Sequence, residues 1–85
     1  MNTNNLLLNI SLPMISEKFD FIVPRAMTVS ESVHLILQAV NEEYPALVSD
    51  SNSVYLFDVN SGMQLPGNLS YIELNILNGT ELILI

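Results

Sequence analysis

Residues 28–42 read Thr-Val-Ser-Glu-Ser-Val-His-Leu-Ile-Leu-Gln-Ala-Val-Asn-Glu, and this stretch decides the fold. It is the only long segment with a helical period. Val29, Val33, Ile36, Leu37 and Val40 fall at i, i+4, i+7, i+8 and i+11, a single apolar stripe along an α-helix. Thr28 and Glu31 have the spacing of a capping box. The hydroxyl takes an orphan amide of the first turn, and the carboxylate reaches back to the Thr28 amide. Ser30, Glu31, Gln38 and Glu42 fall on the water side. A helix of about four turns is marginal alone in water. Its stripe therefore needs an apolar sheet to lie on.

The flanking segments read as that sheet. On the N-terminal side, residues 1–5 are polar and expected to fray. Leu8, Ile10 and Leu12 then alternate with Asn9 and Ser11, a strand with one buried and one wet face. Pro13 stops it, and residues 13–17 form a turn. In the second strand, residues 18–23, Phe19, Phe21 and Val23 share one face while Lys18, Asp20 and Ile22 share the other. These two strands make an antiparallel hairpin, and Pro24 closes it.

On the C-terminal side, Pro45 forbids further helix. A polar connection containing Ala46-Leu47 leads to a third strand at 54–59, rich in β-formers, which ends at the Asn60-Ser61-Gly62 turn. Met63-Gln64-Leu65 reads as a short strand cut by Pro66. Residues 69–77 read as a short 3₁₀ or α turn with Leu69, Ile72 and Ile76 on one side. Asn78-Gly79 is a tight turn before a last strand, 80–85.

Composition agrees with one small globular domain over residues 6–85. An apolar fraction of 49% argues against disorder. With no cysteine, disulfides and thiolate metal sites are excluded. Two basic residues, Lys18 and Arg25, stand against nine acidic ones, for a net charge of −7. Neutralising phosphates takes clustered cations, so neither nucleic acid nor an anionic membrane surface fits as a partner. The apolar run after the N-terminus is too short for a signal peptide core or a membrane span, so no direct membrane insertion is expected. The expected location is cytoplasmic.

Strand, strand, helix, strand, short strand, turn, strand is an α+β order. One helix packed across a mixed four- to five-stranded sheet is its compact solution, the β-grasp arrangement. The C-terminal half, Ser61-Gly62-Met63-Gln64-Leu65-Pro66-Gly67-Asn68-Leu69-Ser70 followed by residues 76–84, resembles ubiquitin. There a Gly-x-Gln-Leu turn and strand precede a Leu-Ser turn, and an Ile precedes a Leu-x-Leu strand. The Val23-Pro24 step and the Thr28 cap also resemble the start of the ubiquitin helix. The sequence departs from ubiquitin in stopping at Ile85 without a diglycine tail and in having Lys18 as its only lysine.

Among tail-less relatives it looks most similar to the small YukD-like proteins, cytoplasmic accessories of bacterial type VII (ESX-like) secretion systems. The shared look is an extended strand running into Val23-Pro24, a Leu/Ile/Val-rich helix, and an Asn-Gly turn before a Leu-rich strand. This resemblance implies a non-conjugated interaction module with a protein partner in, or regulating, a secretion machine. Two alternatives stay open. One is a ubiquitin-like modifier or sulfur carrier with a trimmed tail. The other is the N-terminal domain of a larger membrane component.

No catalytic constellation is visible, and an enzyme is not expected. His34 is the only histidine and has no nucleophile or second ligand at a useful spacing. Asp20, Glu31, Glu42, Glu43, Asp50, Asp58, Glu73 and Glu81 lack metal-loop spacing, and the three glycines form no phosphate loop. Neither metal nor cofactor is therefore expected. The informative residues are apolar and point outward. If Leu82 and Leu84 face the helix, Ile83 and Ile85 do not. If Val54 and Leu56 face in, Tyr55 and Phe57 face out. Tyr55, Phe57, Ile83 and Ile85 would then form one partner-binding surface, whereas a one-residue slip in pairing would turn them into core. In ubiquitin the corresponding sheet face is the main recognition surface. The last strand, if exposed, could also pair edge to edge with a second copy to give a homodimer.

Overall fold

The computed structural model describes residues 4–45 and 53–85. Five regular elements carry the architecture: strands β1 (Asn5–Leu12) and β2 (Glu17–Pro24), helix α1 (Val29–Glu43), and strands β3 (Leu56–Asp58) and β4 (Thr80–Leu84). The sheet order is β2-β1-β4-β3. β1 pairs antiparallel with β2 and parallel with β4, and β4 pairs antiparallel with β3. The sheet is thus mixed and four-stranded, with one helix across it.

The two periodicities meet in the core. Leu6, Leu8, Ile10 and Leu12 of β1 and Leu82 and Leu84 of β4 are fully buried, as period-two alternation requires. All five residues of the α1 stripe, Val29, Val33, Ile36, Leu37 and Val40, are buried with them. Leu56, Leu65 and Tyr71 complete the cluster. Phe19 and Phe21, half-buried, close it from β2 with ring centroids 5.9 Å apart.

The start of α1 is held by more than its cap. The capping box is present: Glu31 N donates to Thr28 Oγ1 (3.2 Å), and Thr28 N donates to Glu31 Oε1 (3.4 Å). Val29 N donates to Leu69 O and Ser30 N to Gly67 O, both at 2.9 Å. Three first-turn amides that would otherwise be orphaned are therefore satisfied, two of them by the segment after Pro66. That segment continues along the chain before α1, with Tyr71 N donating to Met27 O (3.3 Å) and Ile72 N to Arg25 O (3.0 Å).

Several expectations need correction. β1 begins at Asn5, one residue before the expected strand. Asn5 pairs with Pro24, and Asn4 O accepts from Arg25 N at 2.7 Å. β3 is three residues long, and Tyr55 continues its pairing beyond the regular strand. The 63–65 strand reduces to a single bridge, Phe57 to Gln64, because the left-handed Gly62 (φ 72°) and Pro66 bracket it closely. Residues 69–77 contain turns and no regular helix. Their inward side is Tyr71, with Leu74 and Ile76 half-buried, whereas Ile72 is 56% exposed. The last strand is not an edge. β4 lies between β1 and β3 with its backbone paired on both sides, so it cannot template a homodimer. Ala46-Leu47 lies outside the described residues.

Tyr71 anchors the segment that clamps the helix. It is fully buried, and its hydroxyl lies 2.6 Å from Ser32 Oγ on α1. Ser32 Oγ also lies 2.7 Å from Val29 O, which can only accept. The serine proton is thereby committed to Val29, so Tyr71 is the donor of the pair. Buried Ser70 and exposed Glu73 reproduce a capping box around one turn: Ser70 N donates to Glu73 Oε1 (2.9 Å) and Glu73 N to Ser70 Oγ (3.2 Å). The Ser70 amide, and after it the Ser70 hydroxyl, hold the Glu73 carboxyl below its ordinary value.

Thr28→Ala is expected to lower unfolding free energy by about 1 kcal/mol in denaturant titrations. Burial raises the Tyr71 pKa above its ordinary 10.0. A group raised in the folded state contributes stability that is full below the unfolded value and lost as pH climbs through the folded one. Stability should therefore fall above a pH of about 10. Tyr71→Phe, at a neutral-pH cost of about 1 kcal/mol, should flatten that alkaline fall. A Phe variant with the same alkaline slope as the native chain would contradict the assignment.

Candidate interaction face

The sheet face turned away from α1 carries the surface anticipated from alternation. In the β3–β4 ladder Leu56 sits opposite Leu84, and both are buried on the helix side. One residue along each strand, Phe57 sits opposite Ile83 on the other face, both half-buried. Tyr55 and Ile85 exchange two backbone hydrogen bonds, Tyr55 N to Ile85 O at 2.7 Å and Ile85 N to Tyr55 O at 3.0 Å. They are 49% and 50% exposed. The structure thus brings Tyr55, Phe57, Ile83 and Ile85 together as two adjacent cross-strand pairs on one face. The pairs are close enough to form one apolar surface.

Two residues extend it. Val59, 47% exposed, follows Phe57 by two positions, and its N–H donates to Glu81 O at 3.1 Å. Gln64, bridged to Phe57, borders the patch on its far side. The Val59 contribution was available from the same alternation that places Tyr55 and Phe57. The other half of the face is different. Asn9 lies opposite Asp20 on one side and Glu81 on the other, and its Nδ2 donates to Asp20 Oδ1 at 2.8 Å. Beyond this polar band, Leu7 and Ile22 form a second apolar pair, 41% and 70% exposed.

The clefts on the helix side offer little chemistry. One, of about 170 Å³, lies where the start of α1 meets β3, lined by Val29, Val33, Leu56, Gln64 and Leu65 among others. Among the described residues no carboxylate, histidine, lysine or arginine lines it. A wider one, of about 400 Å³, lies beside Met27, Glu31, His34 and Leu35. Its carboxylate already accepts from the Thr28 hydroxyl at 2.8 Å. His34 is exposed, and among the described residues no hydrogen bond joins it to Ser30, the hydroxyl that shares the cleft. Among the described residues no group of three His, Cys, Asp or Glu side chains could hold a metal ion. No helix among them is long and apolar enough to cross a membrane.

No protein-family model matches the sequence, and no curated protein matches it. Solved structures do. A ubiquitin-like domain from an Arabidopsis thaliana protein superposes with a TM-score of 0.72 at 19% identity, covering 98% of this chain and 78% of that one. Ubiquitin of Caldiarchaeum subterraneum gives 0.75 at 13% identity, covering 95% and 91%. The ubiquitin-like domain of Plasmodium falciparum Dsk2 gives 0.73 at 11%, covering 94% and 95%. At these identities the likeness concerns the fold. The chain has the ubiquitin-like β-grasp fold.

The orientation of the face is directly checkable. Tyr55→Ser and Ile85→Ser should each change unfolding free energy by no more than about 0.5 kcal/mol. Leu56→Ala and Leu84→Ala, one residue away, should each cost about 2–5 kcal/mol. Equal losses across the four variants would place the register wrong by one.

Proposed function

We propose that this chain is a protein-binding module that engages its partner through Tyr55, Phe57, Ile83 and Ile85. The observation that carries the reading is the contiguity of these side chains across the β3–β4 pairs. Scattered exposed hydrophobes are ordinary, whereas a connected patch on a rigid sheet marks an interaction site. Aromatic residues suit it further, because Tyr and Phe bring large area at small entropic cost. In ubiquitin the equivalent face is the recognition surface, which supports the reading by analogy of fold.

The finer proposal is a non-conjugated, cytoplasmic accessory or regulator of a bacterial type VII secretion system. It rests on the resemblance of the Val23-Pro24 step, the aliphatic helix and the Asn78-Gly79 turn to the YukD-like proteins. Val23-Pro24 leads from β2 toward α1, and Gly79, at φ 80°, turns the chain into β4 with its N–H donating to Leu7 O at 2.8 Å.

The double variant Tyr55→Asp/Phe57→Asp should keep the native circular dichroism spectrum and lose partners that the native chain captures. Retention of every partner would overturn the interaction face. Intact mass of the native gene product tests the finer proposal. A longer chain ending in Gly-Gly would turn the reading to a modifier, and one running into an apolar span to a membrane component.

A further inference from the structure

The sheet has an open side at β2. Arg25 N donates to Asn4 O at 2.7 Å, and the β1–β2 register pairs Asn5 with Pro24, Leu7 with Ile22, Asn9 with Asp20 and Ser11 with Lys18. Hydrogen-bonding direction alternates along an antiparallel pair. Since Arg25 points its N–H at β1, so do residues 23, 21, 19 and 17. Residues 18, 20, 22 and 24 therefore turn their backbone groups outward. Pro24, which has no N–H, falls in that outward set, the position a strand proline tolerates. Among the described residues no strand covers this edge.

We propose that β2 is a homodimerisation edge, and that a second copy pairs with it antiparallel about a two-fold axis through Phe19. The register follows from charge. A two-fold pairing must join outward residues to outward residues, so the sum of paired residue numbers is even. Centring on Lys18 opposes Lys18 to its own copy, and centring on Asp20 opposes two carboxylates. Like charges directly opposite are unfavourable. Centring on Phe21 or Ile22 brings neither charge opposite its complement. Centring on Phe19 alone sets Lys18 of each protomer opposite Asp20 of the other.

In that register both Lys18–Asp20 pairs lie on the face away from the helices, and each exchanges two backbone hydrogen bonds. Four new backbone bonds and two opposite-charge pairs result. Phe19 meets its own copy on the helix side, where the half-buried Phe19 and Phe21 rings already face each other. Asn9 Nδ2, bonded to Asp20 Oδ1, holds that carboxylate over the face beforehand. Charges on an edge strand ordinarily deter a second strand. A cation and an anion two residues apart are instead complementary to themselves. β2 is one of the two longest strands, at eight residues, but Ser16 at φ 54° ends it sharply. The contact is therefore short, and the dimer belongs among weak, reversible associations.

Sedimentation equilibrium of the full chain tests this. The native chain should show a concentration-dependent dimer. K18D and D20K should each weaken it by at least about tenfold, since each turns two attractive pairs into two repulsive ones. The double variant K18D/D20K restores opposite charges with the sign exchanged and should recover the native constant. Circular dichroism of each variant separates loss of pairing from loss of fold. Y55D/F57D should leave dimerisation unchanged, which keeps this edge distinct from the partner face. A native chain that stays monomeric to about 1 mM would overturn the proposal. So would single reversals without effect, or a double variant that fails to recover.

Discussion

The burial of the α1 stripe against the inner rows of β1 and β4 is the interaction on which the rest depends. Neither part is sufficient alone. A 15-residue helix in water is marginal, and a four-stranded sheet with one bare apolar face would aggregate. Brought together, Val29, Val33, Ile36, Leu37 and Val40 cover Leu8, Ile10, Leu82 and Leu84, and water leaves both sides at once. The absence of cysteine leaves this domain with that core as its source of stability.

Once one face of the sheet is committed to the helix, the other is fixed by geometry. Every residue that must look inward on β3 and β4 forces its neighbour outward, so the core determines the open face. Leu56 and Leu84 are buried, and for that reason Phe57, Ile83, Tyr55 and Ile85 stand on the open side. A surface built this way is rigid, because moving any one of its residues would drag a core residue with it. The polar band of Asn9, Asp20 and Glu81 then separates this patch from Leu7 and Ile22.

Most of the fold was legible because period and cap agree over the helix and alternation is clean in β1 and β4. The face of β3 and β4 was legible for the same reason. What escaped was the segment between Pro66 and Leu77. Its hydrogen bonds run to Met27, Arg25 and the first turn of α1, partners that no local pattern can name. Ile72 and Tyr71 look interchangeable as neighbouring apolar residues. The choice of Tyr71 for the core depends on Ser32 standing across from it to take its hydroxyl. Ser70 and Glu73 did carry a local signal, the spacing of a capping box, which marks where the turn begins. Sheet order was also hidden: nothing in the composition of β4 says that it lies inside the sheet, and only the parallel pairing with β1 moves the open side to β2.

That parallel pairing has a consequence for how the chain is made. Leu7 N donates to Asn78 Oδ1 at 2.8 Å across 71 positions, and β1 and β4 run side by side through the middle of the sheet. A nascent chain leaving the ribosome can form the β1–β2 hairpin and a fluctuating α1, but half of the helix's resting place is still unsynthesised. Until β4 emerges, Leu8 and Ile10 have no neighbour on one flank, and the loop that must close is nearly the length of the domain. The sheet therefore closes only once both ends of the domain are present, and until then the inner rows of β1 stay uncovered on the β4 flank.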